Sequence, residues 1–141
     1  MTNVSVVIVN YNSGRFLELC VNSVCRSDCL LEIIVVDNAS TDGSADFLDN
    51  LMANDVSLQV IRNEENLGFA VAINRGVGYS KSENILFLNP DCLVFPHTIR
   101  LLSGELDADS SAGIVGGLVF NFDGSEQRGC RRREPTLARS L

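Results

Sequence analysis

At 141 residues the chain is long enough for one domain with a real core and too short for two typical ones. Its 45% hydrophobic and 21% charged content excludes a disordered chain, and a net charge of -7 argues against a nucleic-acid partner. The charge is uneven: residues 128–141 carry +4, from Arg128, Arg131, Arg132, Arg133 and Arg139 against Glu134, and residues 1–127 carry −11. A basic tail on an acidic body suits phosphate or anionic lipid, or is simply a solvated end. The first apolar run, residues 4–9, is too short for a signal peptide and lacks a basic flank, and no run approaches the length of a membrane span. Cys20, Cys25, Cys29, Cys92 and Cys130 contain no CxxC pair and have no nearby histidine in zinc-finger spacing. They read as reduced packing residues of a cytoplasmic protein.

Val4-Ser5-Val6-Val7-Ile8-Val9 is a β-branched run expected of a strand buried on both faces. Ser13 is the expected N-cap of a helix over residues 14–26, with Phe16, Leu17, Cys20, Val21 and Val24 toward the sheet. A second strand over 31–36 ends at Asp37, and Asp42 is expected to cap a helix over 44–53 with Phe47, Leu48 and Leu51 inward. Residues 58–61 form a short third strand. A helix over 69–79 should carry Ala70, Ile73 and Val77 along one face, and Gly76 and Gly78 signal close packing or an early end. Residues 84–88 are a fourth strand. Pro96 fits the first turn of a helix reaching about Leu106, with Ile99, Leu102 and Leu106 as its stripe. Residues 113–120 read as a last strand. This alternation predicts an α/β fold: a mostly parallel sheet with helices on both faces.

In such sheets ligands bind beyond the carboxyl ends of the strands. Polar clusters stand there: Asn10-Tyr11-Asn12, Asp37-Asn38-Ala39-Ser40-Thr41-Asp42-Gly43, Asn66-Leu67-Gly68 with Asn74-Arg75-Gly76, and Asn89-Pro90-Asp91. No GxGxxG follows the first strand and no GxxxxGK[ST] occurs, which removes the usual dinucleotide and P-loop readings. The single histidine, His97, and the missing GxSxG elbow exclude a Ser/His hydrolase. A carboxylate such as Asp91, at a strand end, is well sited to hold a hard cation against a phosphate.

Four motifs together resemble the nucleotide-binding half of an inverting family 2 glycosyltransferase of GT-A fold (nucleotide-diphospho-sugar transferase, Rossmann-like). They are Val6-Val7-Ile8-Val9-Asn10-Tyr11-Asn12, Ile34-Val35-Val36-Asp37-Asn38-Ala39-Ser40-Thr41-Asp42-Gly43-Ser44, Asn66-Leu67-Gly68-Phe69-Ala70-Val71-Ala72-Ile73-Asn74-Arg75-Gly76, and Phe87-Leu88-Asn89-Pro90-Asp91. The Asn-Pro-Asp form resembles the rhamnosyltransferase-like branch, which uses dTDP-rhamnose.

The resemblance implies that residues 1–120 form a nucleotide-sugar-binding subdomain. Residues 121–141 would be a basic polar tail leading toward a missing acceptor and catalytic segment, so that the chain is truncated or naturally short. Asn10, Tyr11 and Asn12 would border the base, and Asp37 would accept the N3–H of uracil or thymine. Asn66 and Gly68 would shape the wall near base and sugar, and Arg75 would meet phosphate rather than merely lie on an exposed helix face. Asp91 would ligate Mg²⁺ or Mn²⁺ at the diphosphate, with Asn89 a neutral substitute for the first acidic residue of the family's Asp-x-Asp. Asp42 reads as a cap rather than a ligand contact. The expected partners are a dTDP- or UDP-sugar donor and a saccharide or lipid-linked acceptor. Peripheral contact with the inner face of the membrane and a homodimer are left open. No residue is assigned as general base, because Asp123, Glu126 and Glu134 sit in no matching motif. The rival readings are a nucleotide-sugar-binding module without transfer activity and a flavodoxin-like signalling domain.

Overall fold

The computed structural model describes residues 4–29, 31–51 and 57–128. The elements are β1 (Val4–Asn10), α1 (Phe16–Cys25), β2 (Leu31–Asp37), a 3₁₀ helix (Asp46–Asn50), β3 (Ser57–Arg62), α2 (Phe69–Val77), β4 (Asn84–Leu88) and α3 (Thr98–Ala108). The four strands form one sheet in the order β3-β2-β1-β4, and every pairing is parallel. Asn10 stands opposite Asp37, and Asp37 opposite Arg62, so the carboxyl ends of three strands are level. Leu88 pairs with Ile8, so β4 stops two residues short of the end of β1.

Strand alternation divides the β-branched runs between two cores. Val6, Ile8, Ile33 and Val35 meet Leu17, Cys20, Val21 and Val24 of α1, Leu48 of the 3₁₀ helix and Ile99 of α3. Val7, Val9, Ile34, Val36 and Ile61 form the other face with Ala72 of α2. Helices therefore cover both faces, as the alternation predicts. The edge strand β4 is covered less: Phe87, opposite Val7, stays 53% exposed.

Several local expectations are corrected. Helix α1 starts at Phe16, with Arg15 at the N-cap position and no side-chain cap; Ser13 instead gives its hydroxyl hydrogen to Asn10 Oδ1. The helix expected over 44–53 is a 3₁₀ helix over Asp46–Asn50, and residues 52 and 53 lie outside the described residues. Asp42 caps the turn before it, accepting Ser44 N–H at 3.0 Å, a local bond that competes with helix initiation. In α2 the buried positions are Ala72 and Gly76, whereas Ala70 is exposed. The sheet admits only small side chains there, because α2 lies so close. Helix α3 begins at Thr98, after Pro96 rather than on it, and Ile99 is its buried residue. The strand expected over 113–120 does not form. Ile114 is 93% exposed, and an isolated antiparallel bridge joins Phe120 to Glu126. A strand needs a ladder, and Gly113, Gly116 and Gly117 raise the entropy cost of extending this one without a partner.

Glu32, near the start of β2, is buried. Its Oε1 accepts Ser5 Oγ–H at 2.7 Å and Lys81 N–H at 3.0 Å, and Lys81 Nζ lies 3.6 Å from Oε2. Burial pushes this carboxyl up, but the Ser5 and Lys81 hydrogen bonds and the Lys81 charge outweigh it and hold it below the usual range. The folded pKa is thus lower than the unfolded one, and the stability it contributes is present above the unfolded value. That stability is lost as pH falls out of the ordinary glutamate range and through the folded value. Urea midpoints should fall between about pH 5 and pH 3. They should fall less steeply in Glu32→Gln, which cannot titrate there; equal slopes would remove Glu32 from this role.

Candidate functional site

Parallel pairing brings the polar turns to one edge of the sheet. The strand order reverses between β1, which leads outward to β2 and β3, and β4 on its other side. Ligands of open α/β sheets bind in the crevice at such a switch point. A cleft of ≈ 570 Å³ lies there, lined by Asn12, Ser13, Gly14, Phe16, Asp42, Asn89, Pro90 and Asp91.

The β1 side of the cleft is built on Asn10. Its side chain is fully buried, and Nδ2 lies 2.8 Å from Asp37 Oδ1 and 2.9 Å from both Ser40 Oγ and Ser44 Oγ. Three acceptors compete for two hydrogens, so one contact is shared. Asn10, expected to border a base, therefore does not reach the cleft surface; it holds together the turns after β1 and β2 from beneath. Ser40 Oγ also accepts Asn12 N–H at 3.0 Å. Both its lone pairs are then used, and its own hydrogen is left to donate. Asn12 Oδ1 accepts Thr41 N–H at 2.8 Å, and Asp42 Oδ2 accepts Gly14 N–H at 2.8 Å. The Ser44 hydroxyl and amide, with Gly14 N–H, hold the Asp42 carboxyl below the usual range. Asn12 and Ala39 adopt φ of 49° and 64°. Asn tolerates the left-handed region; Ala39 is strained there, beside Ser40.

Asp37 ends β2 and is 6% exposed. Oδ1 accepts from Asn10. Oδ2 accepts from no described residue, and no described buried side-chain oxygen lacks a partner, so Oδ2 is open to the surface.

The β4 side is a β-turn: Cys92 N–H reaches Asn89 O at 3.1 Å, with Pro90 at the position where its fixed φ suits the turn. Helix α1 and the loop after it anchor this turn and the segment leading into α3. Burial, with Cys92 and the Asp91 charge nearby, pushes the Cys20 thiol up to about 12, so it stays protonated and its hydrogen points to Asn89 O at 3.5 Å. Val94 N–H donates to Ser23 Oγ at 3.1 Å, and Asp28 N–H to Pro96 O at 3.0 Å. Asp28 Oδ2 then holds α3 through His97 Nδ1 at 2.6 Å and Arg100 Nε at 2.9 Å, contacts that keep its carboxyl below the usual range. Asp91 is exposed at the mouth of this anchored turn.

The expected site residues fall into three groups. Asn12, Asn89 and Asp91 line the cleft; Tyr11, 51% exposed, precedes Asn12 in the chain and is not among the lining residues. Asn10 and Asp37 lie at the level ends of β1 and β2. Asn66, Gly68 and Arg75 are grouped beyond β2, where Arg75 Nη1 donates to Asn63 Oδ1 at 2.7 Å. Sequence reasoning missed Phe16 and Asp42 as cleft walls, Cys20 and Ser23 as anchors, and Asn38 and Asn63. The only signal for the last two is the density of short amide side chains at strand ends. Among the described residues no three of His, Cys, Asp and Glu converge as a metal cluster. The four described cysteines are free; Cys130 and the arginines of residues 131–139 lie outside the described residues.

An open parallel sheet with a cleft at its switch point, walled by Phe16 and Pro90 as well as by amide and carboxylate side chains, defines a Rossmann-like α/β protein. The chain belongs to glycosyl transferase family 2, whose profile matches residues 5–140. It is 33% identical to glycosyltransferase GlyG of Streptococcus pneumoniae serotype 4 over 124 residues, which is 87% of this chain and 41% of GlyG. The mannosyltransferase PcManGT of Pyrobaculum calidifontis, solved with GDP-Man and Mn²⁺, superposes with a TM-score of 0.77 at 27% identity, over 84% of this chain and 35% of that one. S. aureus TarS 1-349, solved with UDP-GlcNAc, gives 0.68 at 26% identity, over 77% and 32%. The fold is that of the GT-A glycosyltransferases. The chain spans about two-fifths of GlyG and about a third of the two solved proteins.

Proposed function

We propose that this chain is the donor-binding part of a cation-dependent glycosyltransferase. It would take a nucleoside-diphosphate sugar and pass the sugar, with inversion, to a saccharide or lipid-linked acceptor. The observation that carries the reading is the cleft at the β1/β4 switch point, with Asn12, Asp42, Asn89 and Asp91 in its wall. No basic side chain is among its described lining residues, so a diphosphate beside Asp42 and Asp91 there needs a cation to offset the repulsion. Exposed hard oxygens without a closed cage fit Mg²⁺ or Mn²⁺, which take one or two carboxylates together with phosphate oxygens and water. When bound, the ion supplies Lewis-acid stabilisation of the departing diphosphate. Asp91 holds it and Asn89 offers a neutral oxygen.

Asp37 Oδ2 accepts a ring N–H of the base, Tyr11 and Asn12 border that base, and Asn66 and Gly68 shape the adjoining wall. The N3–H of uracil and thymine suits this acceptor, which favours a UDP- or dTDP-sugar, dTDP-rhamnose included. Guanine also presents a ring N–H, and PcManGT was solved with GDP-Man, so GDP is the informative competitor. A lipid-linked acceptor goes with a cytoplasmic protein working at the inner face of the membrane. No described helix is long and apolar enough to cross one.

One observation favours a narrower second reading for these residues alone: nucleotide-sugar binding without transfer. Inverting transfer needs a base, and Asp91, one of the two carboxylates in the described cleft wall, is taken by the cation in this reading. Asp42 is held down rather than raised, and Asp123 accepts Ser125 N–H and Oγ–H in an exposed turn.

Calorimetry with UDP, dTDP and GDP, with and without Mn²⁺, tests the proposal. Mn²⁺ should tighten UDP and dTDP binding, and Asp91→Ala should abolish that gain of roughly tenfold or more while leaving metal-free affinity equal or tighter, because one repelling charge is gone. Asp37→Ala should weaken UDP and dTDP alike. No binding of any nucleotide, or an undiminished Mn²⁺ effect in Asp91→Ala, overturns the reading. Binding without turnover selects the second one.

A further inference from the structure

Helix α2 lies against the sheet at Gly76, where a Cβ would lie 2.5 Å from Val7 Cγ1. That contact fixes the preceding residue, Arg75, over the end of β3. Arg75 Nη1 donates to Asn63 Oδ1 at 2.7 Å. Asn63 Nδ2 donates to Asn38 Oδ1 at 2.9 Å, and Asn38 Nδ2 to Asn66 Oδ1 at 2.7 Å. The loop closes the series: Leu67 N–H reaches Asn38 Oδ1 at 3.0 Å, and Gly68 N–H reaches Asn66 Oδ1 at 2.9 Å. Asn38 and Asn63 are 2% and 7% exposed, so their amides have little recourse to water.

The polarity of this chain of amides is determined at both ends. Guanidinium and backbone N–H groups can only donate. Arg75 therefore requires Asn63 to present its oxygen outward and its nitrogen inward; Leu67 and Gly68 require oxygens of Asn38 and Asn66. All three amides satisfy both demands in a single arrangement. Asn38 directly follows Asp37, and its backbone N–H donates to Asn10 O at 2.8 Å. The relay thus ties loop 64–68 to the strand end that carries Asp37.

We infer that Arg75 is a positioning residue for the base pocket, acting through Asn63 and Asn38 on loop 64–68, and that it does not meet the diphosphate. This rests on the nucleotide-site reading above. The guanidinium contributes its N–H to an amide relay, and its charge is not spent on phosphate.

Uridine, which has no phosphate, separates the two roles. Affinities of the 141-residue chain for uridine and for UDP with Mn²⁺, measured by NMR titration and calorimetry, are compared among wild type, Arg75→Ala, Arg75→Gln and Asn63→Ala. Exchange of the Leu67 and Gly68 amides is followed in parallel. Arg75→Ala should weaken uridine and UDP by the same factor, roughly tenfold for one lost charge-assisted hydrogen bond, and should speed exchange of both amides. Asn63→Ala should do the same, and the double variant should be no worse than either single one. Arg75→Gln, neutral but still a donor, should restore much of both readouts. A loss confined to UDP, a Gln variant as poor as the Ala variant, or unchanged uridine affinity overturns the inference and leaves the nucleotide site standing. Wild type binding neither ligand overturns the nucleotide reading and this role with it.

Discussion

Asn10→Ala is expected to lower folding stability by about 3 kcal/mol, the largest effect of any single polar truncation in the cleft region. The Asn10 amide is fully buried and meets Asp37, Ser40, Ser44 and Ser13. Truncation removes their common partner and leaves Ser44 and Asp37, themselves buried, without it. Each unsatisfied buried group costs about 1–3 kcal/mol, reduced where water can enter. Urea denaturation by circular dichroism measures the loss, and a change below about 0.5 kcal/mol, the ordinary surface value, would show that Asn10 is no hub. Asn10→Asp supplies a control with its own sign. It sets a second carboxylate beside Asp37 Oδ1, so one of the pair must gain a proton. Its destabilisation at neutral pH should shrink as the pH falls, whereas that of the alanine variant should not.

Gly76→Ala should cost about 2 kcal/mol although alanine is the better helix former by about 1 kcal/mol. The new Cβ would lie 2.5 Å from Val7 Cγ1 and 3.1 Å from Val36 Cγ2. Both valines are fully buried in the central strands β1 and β2, so neither side chain can yield freely. Gly78→Ala is the contrast: at the C-cap of α2 its Cβ would meet only the Arg75 carbonyl at 3.4 Å and the Asn74 carbonyl at 3.8 Å. That variant should be neutral or slightly stabilising. Val7→Ala in the Gly76→Ala background should recover part of the loss, and a double-mutant cycle without coupling would refute the clash.

Both variants bear on the site as well as on stability. Loosening α2 should move Arg75 from Asn63 and slacken loop 64–68. Loosening Asn10 should free the turns that carry Asp37, Ser40 and Asp42. A loss of nucleotide affinity larger than the loss of folded protein would reveal this coupling, and it distinguishes the two cases from a plain deficit in folding.

What could be read in the chain differs by kind. The runs Val4-Ser5-Val6-Val7-Ile8-Val9 and Ile33-Ile34-Val35-Val36 announce buried strands because every residue, on either face, is apolar or small. Where one local rule competes with another, the outcome shifts. Ser13 and Asp42 both carry the chemistry of a helix N-cap, yet each is drawn into a different bond, to Asn10 and to Gly14. The apolar stretch at 113–120 has strand composition and no ladder, since composition cannot supply a partner.

By itself the sequence determined the alternation of strands and helices, the two-faced burial of β1 and β2, and the presence of carboxylates and amides at strand ends. These arise from side-chain period and turn chemistry, which act over a few residues. Only the tertiary structure decided which turns meet. The order β3-β2-β1-β4 brings Asn89-Pro90-Asp91 beside the loop after β1, and the register sets Asn10 level with Asp37. It also decided that Asn10 lies beneath the cleft, that Cys20 and Ser23 hold the segment around Asp91, and that Arg75 ends an amide relay. The reason is physical: hydrogen-bond partners separated by 27, 69 and 71 residues are chosen by how the sheet and helices pack, and no local pattern encodes that choice.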